Sequence, residues 1–162
     1  MVDDDEWWLG THHASRHHSP WPGALKSLTL PPHAVSRAYL KAAEGLDWSR
    51  LPIAAGQTAA EIGCAPGGAC QLLLERGLNV IGIDPALVEP VVAEHPNFVY
   101  LRKRGHEVRR QEFRHVHWLL ADLNVAPRYT LDTIEGIVTH PSVHIRGMLL
   151  TLKLLQWTLA DE

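Results

Sequence analysis

The chain has 162 residues, 46% of them hydrophobic and 20% charged, with a formal net charge of −3 when histidine is neutral. That length supports one domain with a sizeable core, and that charge excludes a globally basic nucleic-acid binder, so any such contact must come from a local patch. Two cysteines make no disulfide framework, no apolar run is long enough to span a bilayer, and the acidic start Asp3-Asp4-Asp5-Glu6 is unlike a signal peptide, so a cytoplasmic location is expected.

Residues 1–33 read as an N-terminal arm and 34–162 as the folded domain. The arm carries Trp7-Trp8, the pairs His12-His13 and His17-His18, and Ser19-Pro20-Trp21-Pro22-Gly23, and it closes on Pro31-Pro32, which favour extended backbone. No cysteine or carboxylate stands near the histidines at zinc-site spacing, so no metal is assigned. The tryptophans either stack on bases or pin the arm to the domain, and pinning is the simpler role. A helix is expected from Ser36, a plausible N-cap, to Gly45. Thr58–Ile62 reads as the first strand, Gly67–Arg76 as a helix stopped by Gly77, and Asn79–Ile83 as the second strand. Pro85–Glu94 is a short crossover. Phe98–Leu101 is the third strand. His117–Ala121 is the fourth, which would put His115 and His117 on one face. Leu131–Val138 is a helix, and Met148–Leu154 is the fifth strand with Lys153 near its end. Strands alternating with helical patterns predict an α/β fold on a parallel sheet.

The chemistry concentrates where the first strand ends. Glu61-Ile62-Gly63-Cys64-Ala65-Pro66-Gly67-Gly68 is a strand, a turn and the opening of a helix, and the next strand ends on Asp84. This is the layout of a nucleotide-binding crevice, in which glycines admit a ligand close to the backbone. Asp84 can accept hydrogen bonds from both hydroxyls of a ribose. The turn lacks G-x-G-x-x-G, and Pro66 has no N–H to offer a diphosphate. A cofactor with a ribose and no phosphate, such as S-adenosylmethionine, fits better. An ordinary tight strand-to-helix turn is the simpler explanation, and Asp84 weighs against it. Ligands in such sheets sit beyond the carboxyl ends of the strands, so Gly63, Asp84 and Asp122 should share one rim. Six cations, Arg102-Lys103-Arg104, Arg109-Arg110 and Arg114, form either an RNA-facing patch or a solvated face.

With Ser36-Arg37-Ala38-Tyr39-Leu40-Lys41, the Glu61–Gly68 turn, Asp84, Ala121-Asp122-Leu123 and Leu152-Lys153-Leu154 in this order, the chain resembles the FtsJ-type RNA ribose 2′-O-methyltransferases. The Ser-Pro-Trp-Pro segment at 19–22 brings it nearest the large-subunit ribosomal RNA methyltransferase M subgroup. The resemblance implies a Rossmann-like sheet flanked by helices, S-adenosylmethionine as cofactor, and RNA as partner, with a cytidine ribose of large-subunit rRNA as acceptor. It also implies roles. Lys41, Asp122 and Lys153 fall on the first three positions of the family's Lys-Asp-Lys-Glu tetrad. Glu61, Gly63, Cys64, Ala65, Pro66, Gly67, Gly68, Asp84 and Asp122 fall on its cofactor site. Three departures stand out. The fourth tetrad residue has no counterpart, Glu162 being too close to Lys153, and the last two strands of the family sheet are missing. Arg102-Lys103-Arg104-Gly105 occupies the loop that usually turns an acid toward the adenine. The subgroup's upstream RNA-binding domain is replaced by a short arm, as in a fragment of a longer protein.

Transfer to a 2′-hydroxyl needs that hydroxyl deprotonated as the new bond forms. A neutral Lys153 can take the proton, provided its pKa falls from about 10.4. Burial and a nearby Lys41 lower it, and Asp122 raises it. Lys41 and Arg37, one helical turn apart, would share a face toward RNA backbone. Taken singly, Lys41 is an exposed helix lysine, Asp122 a turn cap and Lys153 a lysine snorkelling from a strand end. A non-catalytic domain that binds S-adenosylmethionine or RNA is the alternative, because the tetrad is incomplete. A Rossmann dehydrogenase is disfavoured by Pro66.

Overall fold

A computed structural model of the chain describes Thr11 and residues 28–153. The histidine pairs of the arm, Trp7, Trp8, Trp21, the Ser19–Gly23 segment and Glu162 lie outside the described residues.

Short apolar runs bounded by turns give five strands: β1 (Thr58–Ile62), β2 (Asn79–Ile83), β3 (Phe98–Leu101), β4 (Trp118–Ala121) and β5 (Gly147–Leu150). They form one sheet in the order β3-β2-β1-β4-β5, and every pairing is parallel. A parallel sheet must be covered on both faces by its crossovers. Alternate residues therefore enter two cores. Ala59, Val80, Trp118 and Leu120 face one, against α1 (Ala38–Ser49) and α2 (Gly68–Glu75). Ala60, Ile62, Ile83, Leu119 and Ala121 face the other, against α4 (Pro127–Val138) and the loop residues Val108 and Phe113. The short α3 (Pro90–Ala93) closes the first core with Val92. The α/β class and the parallel sheet flanked by helices are those expected from sequence.

Successive strands step outward in opposite directions from β1, so the connections diverge between β1 and β4. Such a divergence opens a crevice at the carboxyl ends. Register fixes what lines it. Ile62 pairs with Ile83 on one side and Ala121 on the other. The next residues along each strand are Gly63, Asp84 and Asp122, which therefore stand side by side.

Several boundaries differ from expectation, among them the start of α1, where Arg37 rather than Ser36 is the N-cap, and four bear on the site. The first helix runs through Gly45 to Ser49, where Arg50 takes a left-handed conformation (φ 52°) and donates its N–H to Leu46 O. Gly45 is a packing glycine, because a Cβ there would lie 2.7 Å from Leu149 Cδ2 on β5. The fourth strand starts at Trp118, so His115 and His117 share no strand face; His117 Nδ1 instead accepts from the Thr58 N–H at 3.2 Å. The fourth helix starts at Pro127, four residues before Leu131, since a proline at a helix start forfeits no intrahelical bond. The fifth strand ends at Leu150, with the Thr151 N–H donating to Ala121 O at 2.8 Å, so Lys153 follows the strand rather than lying in it.

Candidate active site

The first helix is held against the second by small and polar groups. At Gly68 a Cβ would meet Ser36 O at 2.9 Å, so only glycine lets the start of α1 approach α2 this closely. The buried Gln71 amide clamps the incoming chain: its Oε1 accepts from the Val35 N–H (3.0 Å) and its Nε2 donates to His33 O (3.1 Å). Tyr39 donates its hydroxyl to Glu75 Oε2 at 2.6 Å. This docking carries Lys41 to the rim of the sheet.

There Lys41 Nζ donates to Asp122 Oδ2 at 2.9 Å, and Lys153 Nζ lies 3.0 Å from Asp122 Oδ1. Residues 41, 122 and 153, far apart in sequence, thus form one contiguous cluster. The Asp122 carboxyl is pushed up by burial, but hydrogen bonds and charge from both lysines outweigh that and hold it below its ordinary value. The hydrogen bond with Asp122 raises the Lys153 pKa, and burial opposes it without prevailing. In the balance left open by the sequence, the pull of Asp122 outweighs burial and favours the ammonium. Arg37 is exposed at the N-cap of α1, one turn from Lys41.

Two cavities open on this rim. The larger, about 620 Å³, is lined by Gly63, Ala65, Asp84, Pro85, Asp122 and the loops at 103–106 and 123–125. Gly63 sits at φ 81°, and a Cβ there would lie 2.8 Å from Asp122 O, so the close approach of β1 and β4 requires glycine. Asp84 is fixed by two backbone donors, Ala65 N–H to Oδ2 (3.1 Å) and Ala86 N–H to Oδ1 (2.8 Å). Each oxygen keeps a lone pair for a ribose hydroxyl. These residues fit a cofactor with a ribose and no diphosphate.

Of the expected cofactor residues of the turn, Glu61, Cys64, Pro66, Gly67 and Gly68 do not line this cavity. Glu61 borders the smaller one, and Cys64 is buried beneath the turn with its Sγ 3.0 Å from where a Cβ on Gly82 would be. Pro66 is exposed, while Gly67 (φ 119°) and Gly68 are packing glycines against Val92 and Ser36. Glu61 is 1% exposed and accepts from the Cys70 thiol at 2.9 Å. Burial pushes its carboxyl up to about 8, which favours the protonated form at neutral pH.

The smaller cavity, about 370 Å³, lies between α1 and the end of β5, and Asp122 is the residue that lines both. Its wall includes Glu44 and Trp48, of which Trp48 lies beyond the expected helix stop at Gly45. The larger cavity is also lined by Lys103, Arg104 and Gly105, from the loop that the resemblance places toward the adenine, and by Val125 and Tyr129, which the sequence did not point to.

The model of the FtsJ-like methyltransferase family matches residues 34–160. Two relatives, the ribosomal RNA large subunit methyltransferases M of Laribacter hongkongensis and Halorhodospira halophila, are 33% and 34% identical over 115 and 112 residues, in each case 67% of this chain and 32% of the relative. The chain thus spans about a third of the length of these curated relatives. The crystal structure of a provisionally assigned hemolysin from Lactococcus lactis is similar with a TM-score of 0.58, covering 66% of this chain and 54% of that one at 20% identity, a likeness of fold alone. With the glycine turn, the Asp84 rim and a family match over most of its length, the chain belongs to the FtsJ-like methyltransferases, a family that takes its methyl group from S-adenosylmethionine.

Proposed function

We propose that this chain is the catalytic domain of an RNA ribose 2′-O-methyltransferase acting in the cytoplasm on large-subunit rRNA, with a cytidine ribose as acceptor. The observation that carries this is Asp122, held between Lys41 and Lys153 and shared by two cavities. One cavity then takes the cofactor and the other the acceptor, with their contents meeting at the carboxylate. The rRNA methyltransferases named above support the choice of substrate.

S-adenosylmethionine, when bound, supplies an electrophilic sulfonium methyl. Gly63, Ala65 and Asp84 would hold its nucleoside half. The three clustered side chains would orient the attacking hydroxyl, and orientation alone is worth roughly 7–11 kcal/mol of barrier. Lys153 becomes a proton acceptor only as a neutral amine, which Asp122 opposes in the ligand-free protein. A further positive charge beside Asp122 moves that pKa back down. Lys41 would neutralise a phosphate or steer the ribose.

The ammonium state of Lys153 favours one second reading, a domain that binds cofactor and RNA without transferring a methyl group. The two are separated by incubating the protein with methyl-labelled S-adenosylmethionine and protein-free large-subunit rRNA. Incorporation is expected, with Lys153→Ala lowering kcat by at least about 100-fold. Binding of S-adenosylhomocysteine with no incorporation would favour the second reading.

A further inference from the structure

The first helix presents one face to the smaller cavity. Lys41, Glu44, Gly45 and Trp48 are spaced i, i+3, i+4 and i+7, which places them in a single row. Ala42 and Leu46 hold the buried side of the helix. Trp48 is 65% exposed, unusual for the largest apolar side chain, and it has no ring or hydrogen-bond partner among the described residues. The Glu44 carboxylate is likewise exposed and without a partner among them. Leu149 packs directly on Gly45, and Leu150 and Thr151 complete the lining. At about 370 Å³ the space is within the range of small-ligand sites, about 300–1,000 Å³.

We propose that this cavity receives the base of the acceptor nucleotide, extruded from its RNA strand, with Trp48 as the stacking platform and Glu44 as the group that selects a base bearing an exocyclic amine. The proposal rests on the reading of this chain as an RNA methyltransferase and assigns the acceptor end of its site. A flat aromatic surface stacks on any base, so Trp48 contributes affinity with little sequence preference. A carboxylate only accepts hydrogen bonds, so it pairs with the amine of cytosine or adenine and is repelled by the O4 acceptor that uracil carries in place of that amine. The row also explains the order of groups along the helix: Lys41 stays at Asp122, where the ribose must lie, and Trp48 sits two turns farther out, where a base attached to that ribose would reach.

The test is binding of short single-stranded oligo(C), oligo(A) and oligo(U) to the full chain, followed by fluorescence anisotropy, with S-adenosylhomocysteine affinity measured alongside. Trp48→Ala is expected to weaken all three oligonucleotides by about tenfold, the scale of one lost base–aromatic stack. Trp48→Phe should recover most of the loss, and S-adenosylhomocysteine affinity should stay within twofold. The unmodified protein should favour oligo(C) and oligo(A) over oligo(U) by several-fold. Glu44→Gln, whose amide both donates and accepts, should erase that preference. Unchanged RNA affinity in Trp48→Ala, or a matching fall in S-adenosylhomocysteine affinity, overturns the assignment of the cavity. Equal binding of the three oligonucleotides by the unmodified protein overturns the role of Glu44. Binding is read without turnover, so absence of methyl transfer would defeat the functional reading while leaving this test standing.

Discussion

Single residues carry opposite electrostatic tasks in this site. Glu61 is an acid kept neutral by burial, and its pKa of about 8 sits well above the ordinary 4.5. The sign follows directly: between those values the folded protein holds a proton that the unfolded chain has released, so stability falls as pH rises, by up to about 1.4 kcal/mol per pH unit. Urea unfolding from pH 5 to 8 should show this decline, and Glu61→Gln should flatten it; parallel curves for the two proteins would show that Glu61 is ionised in the fold. Asp122 behaves in the opposite sense. Its lowered pKa gives stability that is present above its ordinary value of 3.8 and lost as the pH falls further. Lys153 is favoured as an ammonium in the ligand-free protein, so if it serves as the proton acceptor, kcat/KM should climb roughly tenfold per pH unit from neutrality toward its raised pKa. A flat profile between pH 7 and 9 would remove it from that role. Arg37→Ala and Lys41→Ala should each weaken RNA binding and reduce the slope of log K against log salt by about 0.7, the single-strand value per phosphate.

At the scale of elements, the docking of α1 on α2 decides where Lys41 lies. Gln71 is the clamp, and Gln71→Ala leaves the Val35 N–H and His33 O unpaired in a half-buried place. A loss of about 1–3 kcal/mol in unfolding free energy is expected by chemical denaturation. Strands β1, β2 and β3 were legible residue by residue, because each is an apolar, β-prone run with a turn signal at both ends. The end of α1 was not. Gly45 looks like a stop signal in the sequence, yet it is glycine because Leu149 presses on it from β5, a contact no local pattern reveals. That single misreading cut Trp48 from the face it shares with Lys41. The apolar run 148–155 hid the end of β5 in the same way, since hydrophobicity continues where ladder bonding ceases.

For the whole molecule, the sheet order and its parallel register bring together what the chain keeps apart. Gly63, Asp84 and Asp122 could be placed on one rim from sequence because each follows a predicted strand directly. Sequence left two matters open: that Asp122 stands between two cavities, and that it holds both lysines at once. Both depend on side-chain reach across α1, β4 and the segment after β5. A methyl donor and an RNA ribose meeting at that carboxylate is the central claim. Its most direct measurement is the position of the label after transfer from methyl-labelled S-adenosylmethionine to large-subunit rRNA, read by digestion to nucleosides. The expected product is an alkali-resistant 2′-O-methylated nucleoside, absent with Asp122→Ala; label on a base, or on the ribose regardless of that substitution, would contradict it.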